Sequence, residues 1–578
     1  MSRRGLLAAF AAASSSGCLQ RARTLVNRRS PEQVSVTIKT VPADDDEASV
    51  EIARRFQEHM AAVGINATIN LQDEAVFLRD VVLNNDFDVY VGRFPPRVEP
   101  DFLRATLHSQ FVSEPGWQNP FGLSDLELDE ALSAQRTLTG SSRRRTIEEI
   151  ATSIATIQPL LPICFPTESI VVQTDRFEGW PDDGQLTPLD YLHVQASSDG
   201  TASDVTRLAV SYTDARITQS LNPIAVEYRR RGTITGLLYD SLARRHDGTL
   251  RPWLASRIDW ETETAKTTAT ISLRDGATWH DGRSLTASDV AFTYRFFDDT
   301  TLGDGDVSVP APRFRGRTSL VESATTVDNT TVRLSFGETS QTVAERAFTV
   351  PVLPEHVWED KTGSADLAGV DVSTAITEAL VWPNIDDPVG SGPLQFESRQ
   401  HGDELVLSTF ENHFRVTDPP SWFDAEPAFD ELLVRIAPSE TAAITLVTEG
   451  QADATGTPVR PAHDVAPTDA VETSVGTSRS FYHVGYNTTV DPFGNVRFRR
   501  LLSQLLDPSS IVDTVLGGDG IPAATPLAGT EWTPSEPELD GTDPVAPFLG
   551  TDGELDESAA RDAFREAGFR YDGDRLVR

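Results

Sequence analysis

The chain has 578 residues, of which 87 are Asp or Glu and 50 are Lys or Arg, so its net charge at pH 7 is −37. That length is too great for one hydrophobic core and predicts about two to four domains, while 39% hydrophobic and 24% charged residues exclude a disordered or fibrous chain. So acidic a surface repels phosphate backbones, which excludes nucleic-acid binding through a basic face.

The lysines number three, Lys39, Lys266 and Lys361. Dispersed carboxylates with few lysines read as a surface solvated for concentrated salt, where screening makes self-repulsion tolerable. The two cysteines, Cys18 and Cys164, exclude a disulfide framework or a thiolate metal cluster. The opening MSRRGLLAAFAAASSSGCLQ has an arginine pair, an apolar run from Gly5 to Ala13 and then Gly17-Cys18. Such a run is too short to cross about 30 Å of hydrocarbon and reads as a processing segment. It resembles a twin-arginine export signal ending in a lipobox, with Cys18 as the lipidated residue, although Ser15 stands where a lipobox has leucine. Residues 19–32 then read as a tether.

Val34, Val36 and Ile38 alternate as a strand. Ile52, Ala53, Phe56, Met60 and Val63 follow helical spacing up to Gly64, and Ile65, Ala67, Ile69 and Leu71 alternate again, which predicts a β-α-β unit. A strand over Phe87–Val91 leads into GRFPPRVEP (Gly92–Pro100), whose prolines exclude helix or inner strand. Helices are predicted over Leu126–Leu138 and Arg143–Ile157, followed by the apolar run Pro159–Phe165. A second start near Thr206 brings a strand at Leu208–Val210, a turn at Leu221-Asn222-Pro223 and a helix over Thr233–Ala243.

Within Ile271–Phe297, Asp275-Gly276 and Asp281-Gly282 are turn dipeptides, and Thr286 with Asp289 is an N-cap pair opening a helix over Val290–Phe297. Strands at Glu404–Thr409 and Glu431–Ile436 and a helix Thr441–Thr448 come next. Phe498, Leu501, Leu502, Leu505 and Leu506 form a helical stripe, and a last helix over Ala559–Ala567 stops at Gly568.

Six pieces of this second part carry a family resemblance. They are Leu237–Trp260, LRDGATWHDGRSLTASDVAFTYRFF, PVGSGPLQF with GDELVLSTFENHF, LVTEGQADAT, His483–Asp507 and Ala560–Asp574. In this order they resemble the extracytoplasmic solute-binding proteins of ABC importers, family 5, the peptide, dipeptide and nickel-binding type, and the acidity resembles that of halophilic archaeal proteins. The resemblance implies an α/β, two-lobed periplasmic-binding-protein-like fold of type II, with mixed sheets and flanking helices. The parts that close the family's chain stand here at its beginning: VSVTIKTV, the helix ending Gly64-Ile65, DFDVYV, and PLLPICF leading to Gly179-Trp180. A circular permutation follows as the expectation, since chain ends of compact domains often lie close together. The rival account is an artefactual joining of two fragments, which the export signal ahead of the moved third opposes. On this reading lobe II comprises 33–160 and 478–578, lobe I comprises 161–477 with an insertion at about 246–386, and strands near 160–166 and 475–483 form the hinge. Such lobes close on a ligand that makes contacts only in the closed state.

Ligand contacts follow from the resemblance. Relatives pair a peptide's backbone with a segment after an LDP-like turn, here Glu227, Tyr228 and Arg229, and with the loop holding Arg93, Phe94 and Arg97. Where relatives carry an aspartate for the peptide's amino terminus, this loop has Pro96 or Arg97. Its two arginines suit a carboxylate or phosphate bidentately, or simply bridge surface acids. Tyr482, Tyr486 and Asn487 fall at the hinge, as cleft walls or as core. The pairs His280-Asp281 and His246-Asp247 lack a nucleophile elbow and are read as turns, and no histidine spacing supports a metal site. The implied protein is a monomeric, non-enzymatic subunit without cofactor. It is anchored outside the cell membrane through lipid and delivers a peptide or small organic solute to ABC permease subunits. An exported hydrolase with paired carboxylates and an anchored sensor without transport are the alternatives.

Overall fold

The computed structural model describes residues 32–534 and 546–578, apart from 98, 198–205, 227–231, 264–265, 371–373, 424–426 and 462–469. Cys18, the export segment and Glu227, Tyr228 and Arg229 therefore lie outside the described residues.

Strand β1 (Ser35–Thr40), helix α1 (Ala43–Ala62) and strand β2 (Asn66–Leu71) make the expected parallel β-α-β unit, with Val36 opposite Ala67 and Ile38 opposite Ile69. Ile52, Ala53, Phe56 and Met60 form the buried stripe of α1. The helix stops at Gly64, whose φ of +84° is a left-handed conformation that side chains disfavour. A Cβ there would stand 2.1 Å from the Asp574 carbonyl oxygen, so the position needs glycine on both counts.

Strand β3 (Val89–Arg93) pairs with β1 and begins two residues later than the pattern predicts. Phe87 and Asp88 serve the approach instead: the Phe87 carbonyl accepts from Asn487 Nδ2 at 3.0 Å, and Asp88 Oδ2 accepts from the Thr37 amide at 2.9 Å. Helix α2 (Leu126–Ala134) is shorter than predicted, because Gln135 and Arg136 leave it to bond Asp101. Helix α3 (Gly140–Ile157) leads into β4 (Leu160–Gln173), a 14-residue strand buried along nearly its whole length. A near-continuous apolar run is what a strand covered on both faces requires.

The predicted helix over Thr233–Ala243 is corrected by the structure to a helix at Thr233–Leu238 and a hairpin pairing Ala243–His246 with Thr249–Pro252. Asp240 breaks the helix, its buried carboxylate accepting from Trp253 Nε1 at 2.7 Å, Arg244 Nη2 at 3.2 Å and His413 Nε2 at 3.1 Å. Asp247 and Gly248, both at positive φ, make the hairpin turn.

After β5 (Arg207–Tyr212), strands β6 (Ala255–Glu263), β7 (Lys266–Leu273), β8 (Ser323–Thr326) and β9 (Thr331–Ser335) form a separate antiparallel sheet in the order β6-β7-β9-β8. Helix α4 (Ala287–Asp298) opens with the predicted capping pair, the Asp289 carboxylate accepting from the Thr286 amide at 2.9 Å.

The large sheet is completed by β10 (Leu394–Gln400), β11 (Glu404–Thr409), β12 (Glu431–Ile436), β13 (Ala454–Thr455), β14 (Val471–Thr477), β15 (Tyr482–Tyr486) and β16 (Gly520–Pro522). Its order is β10-β11-β12-β5-β13-β4-β15-β3-β1-β2, with β14 and β16 also paired to β4. The first residues of β4 pair with β15 and its last with β14, so β4 runs from one half of the sheet into the other.

Helix α5 (Glu557–Glu566) precedes a hairpin of β17 (Arg570–Asp572) and β18 (Arg575–Val577). This hairpin docks on the first β-α-β unit. The Val34 amide donates to Leu576 O, the Leu576 amide to Gly64 O and the Arg578 amide to Glu32 O, each at 2.9 Å. Leu576 is buried in one core with Val34, Phe56 and Ile65.

Candidate functional site

The end of β3 sets the site. Beyond Arg93 the chain still pairs with its neighbour: the Phe94 amide donates to Phe481 O at 2.8 Å and the Arg97 amide to Arg479 O at 2.9 Å, while Ser480 Oγ donates to Phe94 O. The proline-broken loop is thereby held against the residues joining β14 to β15, where the sheet passes from one half to the other. Phe94 is fully buried among Phe481, Trp117 and Phe102, at ring distances of 5.1, 4.8 and 5.8 Å. The Arg97 guanidinium lies over Phe94 and Phe102, at 5.1 and 5.8 Å, a cation-π arrangement that holds a charge on an aromatic floor. Beside it is a small cleft bounded by Arg97, Glu99, Phe102, Phe165, Leu527 and Trp532.

The two arginines of the loop have different fates. Arg93 turns inward, its Nη2 at 2.5 Å from Glu168 Oε1 and 3.2 Å from Ser478 Oγ, its guanidinium 5.2 Å from the Tyr482 ring centre. Burial disfavours its charge, but the Glu168 carboxylate and the Tyr482 and Asp46 oxygens outweigh that and hold its pKa above the ordinary value. Tyr482 donates its hydroxyl to Asp46 Oδ1 at 2.9 Å. Arg93, Tyr482 and Glu168 thus form a buried knot tying β3, β15 and β4.

Tyr486 and Asn487 are placed away from the cleft. The Tyr486 hydroxyl meets Ser503 Oγ at 3.0 Å inside the core beneath α1. Asn487 Nδ2 donates to the carbonyls of Asn85 and Phe87, and its Oδ1 accepts from the Thr489 amide and hydroxyl, so its amide is satisfied within the fold. Phe165, Leu527 and Trp532, which the sequence reading missed, wall the cleft. Their signal was weak: single apolar residues in loops or strands, brought together only by the pairing of β16 with β4.

Behind the cleft lies a charge network. Asp101, wholly buried, accepts from Arg136 through Nε at 2.6 Å and Nη2 at 2.9 Å, from Gln135 Nε2 at 2.5 Å, and from Arg346 Nη1. Burial would raise the Asp101 pKa, but the two guanidiniums hold it below the ordinary carboxylate value. Glu99 pairs with Arg143 and, at 3.2 Å, with Arg346 Nε. His280 engages Gly392 O at 3.0 Å and accepts from the Gly390 amide, while Asp281 meets His356 at 2.9 Å, so the two neighbours in sequence serve separate turns. Among the described residues no group of three or more His, Cys, Asp or Glu side chains could hold a metal ion, and no helix is long and apolar enough to cross a membrane.

Residues 249–578 match the family described as bacterial extracellular solute-binding proteins, family 5 Middle. The chain is 23% identical over 307 residues to the oligopeptide-binding protein AppA of Bacillus subtilis, covering 52% of this chain and 48% of that one. It is 28% identical over 287 residues to Protein XP55 of Streptomyces lividans, covering 50% and 46%. The chain spans about half the length of the curated relatives it matches. Among solved structures, AppA of Bacillus subtilis in complex with a nonapeptide is similar at 18% identity and a TM-score of 0.45, covering 64% of this chain and 66% of that chain. The family match covers more than half of the chain, and the mixed sheet with flanking helices is the α/β architecture expected of type II binding proteins. The chain belongs to family 5 of the bacterial extracellular solute-binding proteins.

Proposed function

We propose that this protein is the extracytoplasmic substrate-binding subunit of an ABC importer, which captures a peptide or other small organic solute and delivers it to membrane permease subunits. One observation carries this reading: β4 runs from one half of the sheet into the other, and a small cleft with aromatic walls and a charged edge lies beside it. Closure of the two halves about β4 on a ligand adds contacts that an open form lacks. In this proposal one lobe comprises 33–160 with 478–578 and the other 161–477. Arg97 bears on the solute over the buried Phe94 ring, with Glu227, Tyr228 and Arg229 completing the contacts, while Arg93, Tyr482, Tyr486 and Asn487 support the strands behind them. Lipid at Cys18, twin-arginine export, a monomeric state and a working environment of concentrated salt belong to the same proposal. Names such as oligopeptide-binding among the relatives support the solute class.

The test is native mass spectrometry and thermal unfolding of the purified protein in concentrated salt with a mixed peptide pool. Retention of unmodified solute and a rise in Tm are expected. Steady turnover of the pool, abolished by changing a carboxylate pair, favours the hydrolase alternative and sinks this reading.

The proposal includes the circular permutation, and the docking of the C-terminal hairpin on β1 and Gly64 supports it. A variant linking Arg578 to Glu32 and opening the chain near Ser203 is expected to fold with a circular dichroism spectrum and Tm close to the parent's, because the link joins chain segments that already pair. A variant that stays unfolded refutes the permutation.

A further inference from the structure

Three ion pairs join residues 33–160 to residues 161–477 with one polarity. The second segment supplies the guanidinium and the first the carboxylate: Arg216 with Glu74 at 2.9 Å, Arg315 with Glu114 at 2.8 Å and Arg460 with Glu47 at 2.8 Å. The carboxylates stand on separate elements, Glu47 in α1, Glu74 at the start of helix Glu74–Leu78 and Glu114 in the loop after Ser109–Phe111. Each arginine also holds a carboxylate from its own segment: Arg216 meets Asp214 at 2.7 Å, Arg315 meets Asp298 at 2.8 Å and Arg460 meets Glu440 at 3.7 Å. The Arg460 amide donates to the same Glu440 at 3.2 Å. Burial opposes the three charges, but the carboxylates from both sides outweigh it and hold all three pKa values above the ordinary one. The opposite polarity is found at the crossing strands, in Arg93 with Glu168 and Arg479 with Asp183.

A guanidinium carries five N–H donors in a fixed fork, so it can serve two carboxylates at once. Separating the two segments would part each arginine from its distant glutamate and leave its near carboxylate in place. No guanidinium is then stranded, and the released glutamates pass to water. Pairs between partly exposed groups are individually weak, which suits an equilibrium that must run in both directions. Arg346 has the same polarity, bound to Glu99 and Asp101, but its pairs are buried and among the described residues its own segment gives it no carboxylate. It resists opening where the forked three yield. We propose that Arg216, Arg315 and Arg460 are forked latches, which hold the two lobes together in the closed form and release them without losing their near charge partners. The inference rests on the two-lobed solute-binding reading and adds to it what sets the balance of open and closed forms.

The experiment is small-angle X-ray scattering of the full chain without solute, at one fixed KCl concentration, with far-UV circular dichroism of the same samples. Parent protein is compared with three triple variants. The cross-lobe variant carries Glu47→Gln, Glu74→Gln and Glu114→Gln, and the near-side variant carries Asp214→Asn, Asp298→Asn and Glu440→Gln. Both remove three negative charges from the same arginines, so general repulsion within an acidic chain changes alike. The third variant, Glu47→Arg, Glu74→Arg and Glu114→Arg, sets like charges against one another. Weak pairs of this kind change an equilibrium about 1.4- to 5-fold each, so losing three raises the open-to-closed ratio by about 3- to 150-fold. The cross-lobe variant is expected to have a larger radius of gyration than the parent with an unchanged dichroism spectrum, and the near-side variant to match the parent. A near-side variant as expanded as the cross-lobe one overturns the proposal, and so does expansion with loss of the spectrum, because the pairs then hold the fold and not the lobes. Expansion of the reversed variant alone overturns the latches and leaves the two lobes intact. A radius unchanged in all four proteins overturns the latches and the two-lobed reading together.

Discussion

Asp101→Asn is expected to lower folding stability by about 3–5 kcal/mol, the usual cost of removing one partner from a buried ionic group. The carboxylate is fully buried and receives Arg136, Gln135 and Arg346. Asparagine keeps the shape but turns one acceptor into a donor, so an N–H would face guanidinium N–H groups and the cations would lose their counter-charge. Because Arg346 comes from the Glu345–Thr349 turn and Arg136 from the residues after α2, the change also loosens the contact between those segments. Buried pairs are screened little by salt, so the loss should persist in concentrated KCl. Asp562→Asn is the contrast: its pair with Arg565 is half-exposed on both sides and is expected to cost no more than about 0.5 kcal/mol. Denaturant midpoints of the three proteins in low and high salt decide the matter. An Asp101→Asn loss below about 1 kcal/mol, or one that vanishes in salt, would refute this account of the network.

Acidification is expected to produce the second large loss, beginning near pH 6.5. His483 has no exposure, its Nε2 meets the Tyr90 hydroxyl at 2.8 Å, and the rings of Tyr90, Phe94 and Phe481 surround it. Burial pushes its pKa down to about 3. The unfolded chain therefore takes up a proton near the ordinary histidine pKa of about 6.5, while the folded chain declines it, and stability falls as pH falls by up to about 1.4 kcal/mol per unit from this group. His413 acts in the same direction: burial lowers its pKa, and Asp240 opposes that only in part. Neutralising some of the surplus carboxylates works the other way by relieving self-repulsion, so a parent curve alone would mix the two effects. His483→Gln separates them. The variant is expected to be less stable than the parent at pH 7.5 and to lose less between pH 6.5 and 4.5, so that the two curves converge. Parallel curves would show that His483 does not carry the acid loss.

Much of the fold was legible because local chemistry is strong where it was read. The Thr286 and Asp289 capping pair, the alternation of β1 and β2 around the stripe of α1, and the glycine stop at Gly64 each depend on neighbours within a few residues. The helix expected over Thr233–Ala243 failed because its competitor was distant: Asp240 finds Trp253 and His413, and a helical pattern holds no trace of a histidine 173 residues away.

The site divides along the same line. Sequence by itself determined the family's motifs, the acid surplus and a proline-broken loop carrying two arginines. The tertiary structure alone decided what those arginines do. Arg93 and Arg97 are four residues apart, yet one is buried against Glu168, 75 positions along the chain, and the other lies on aromatic rings at a cleft edge. The partition has a physical cause: a guanidinium's role depends on which charges and rings the folded chain brings within a few ångströms, and strand pairing across hundreds of residues sets that.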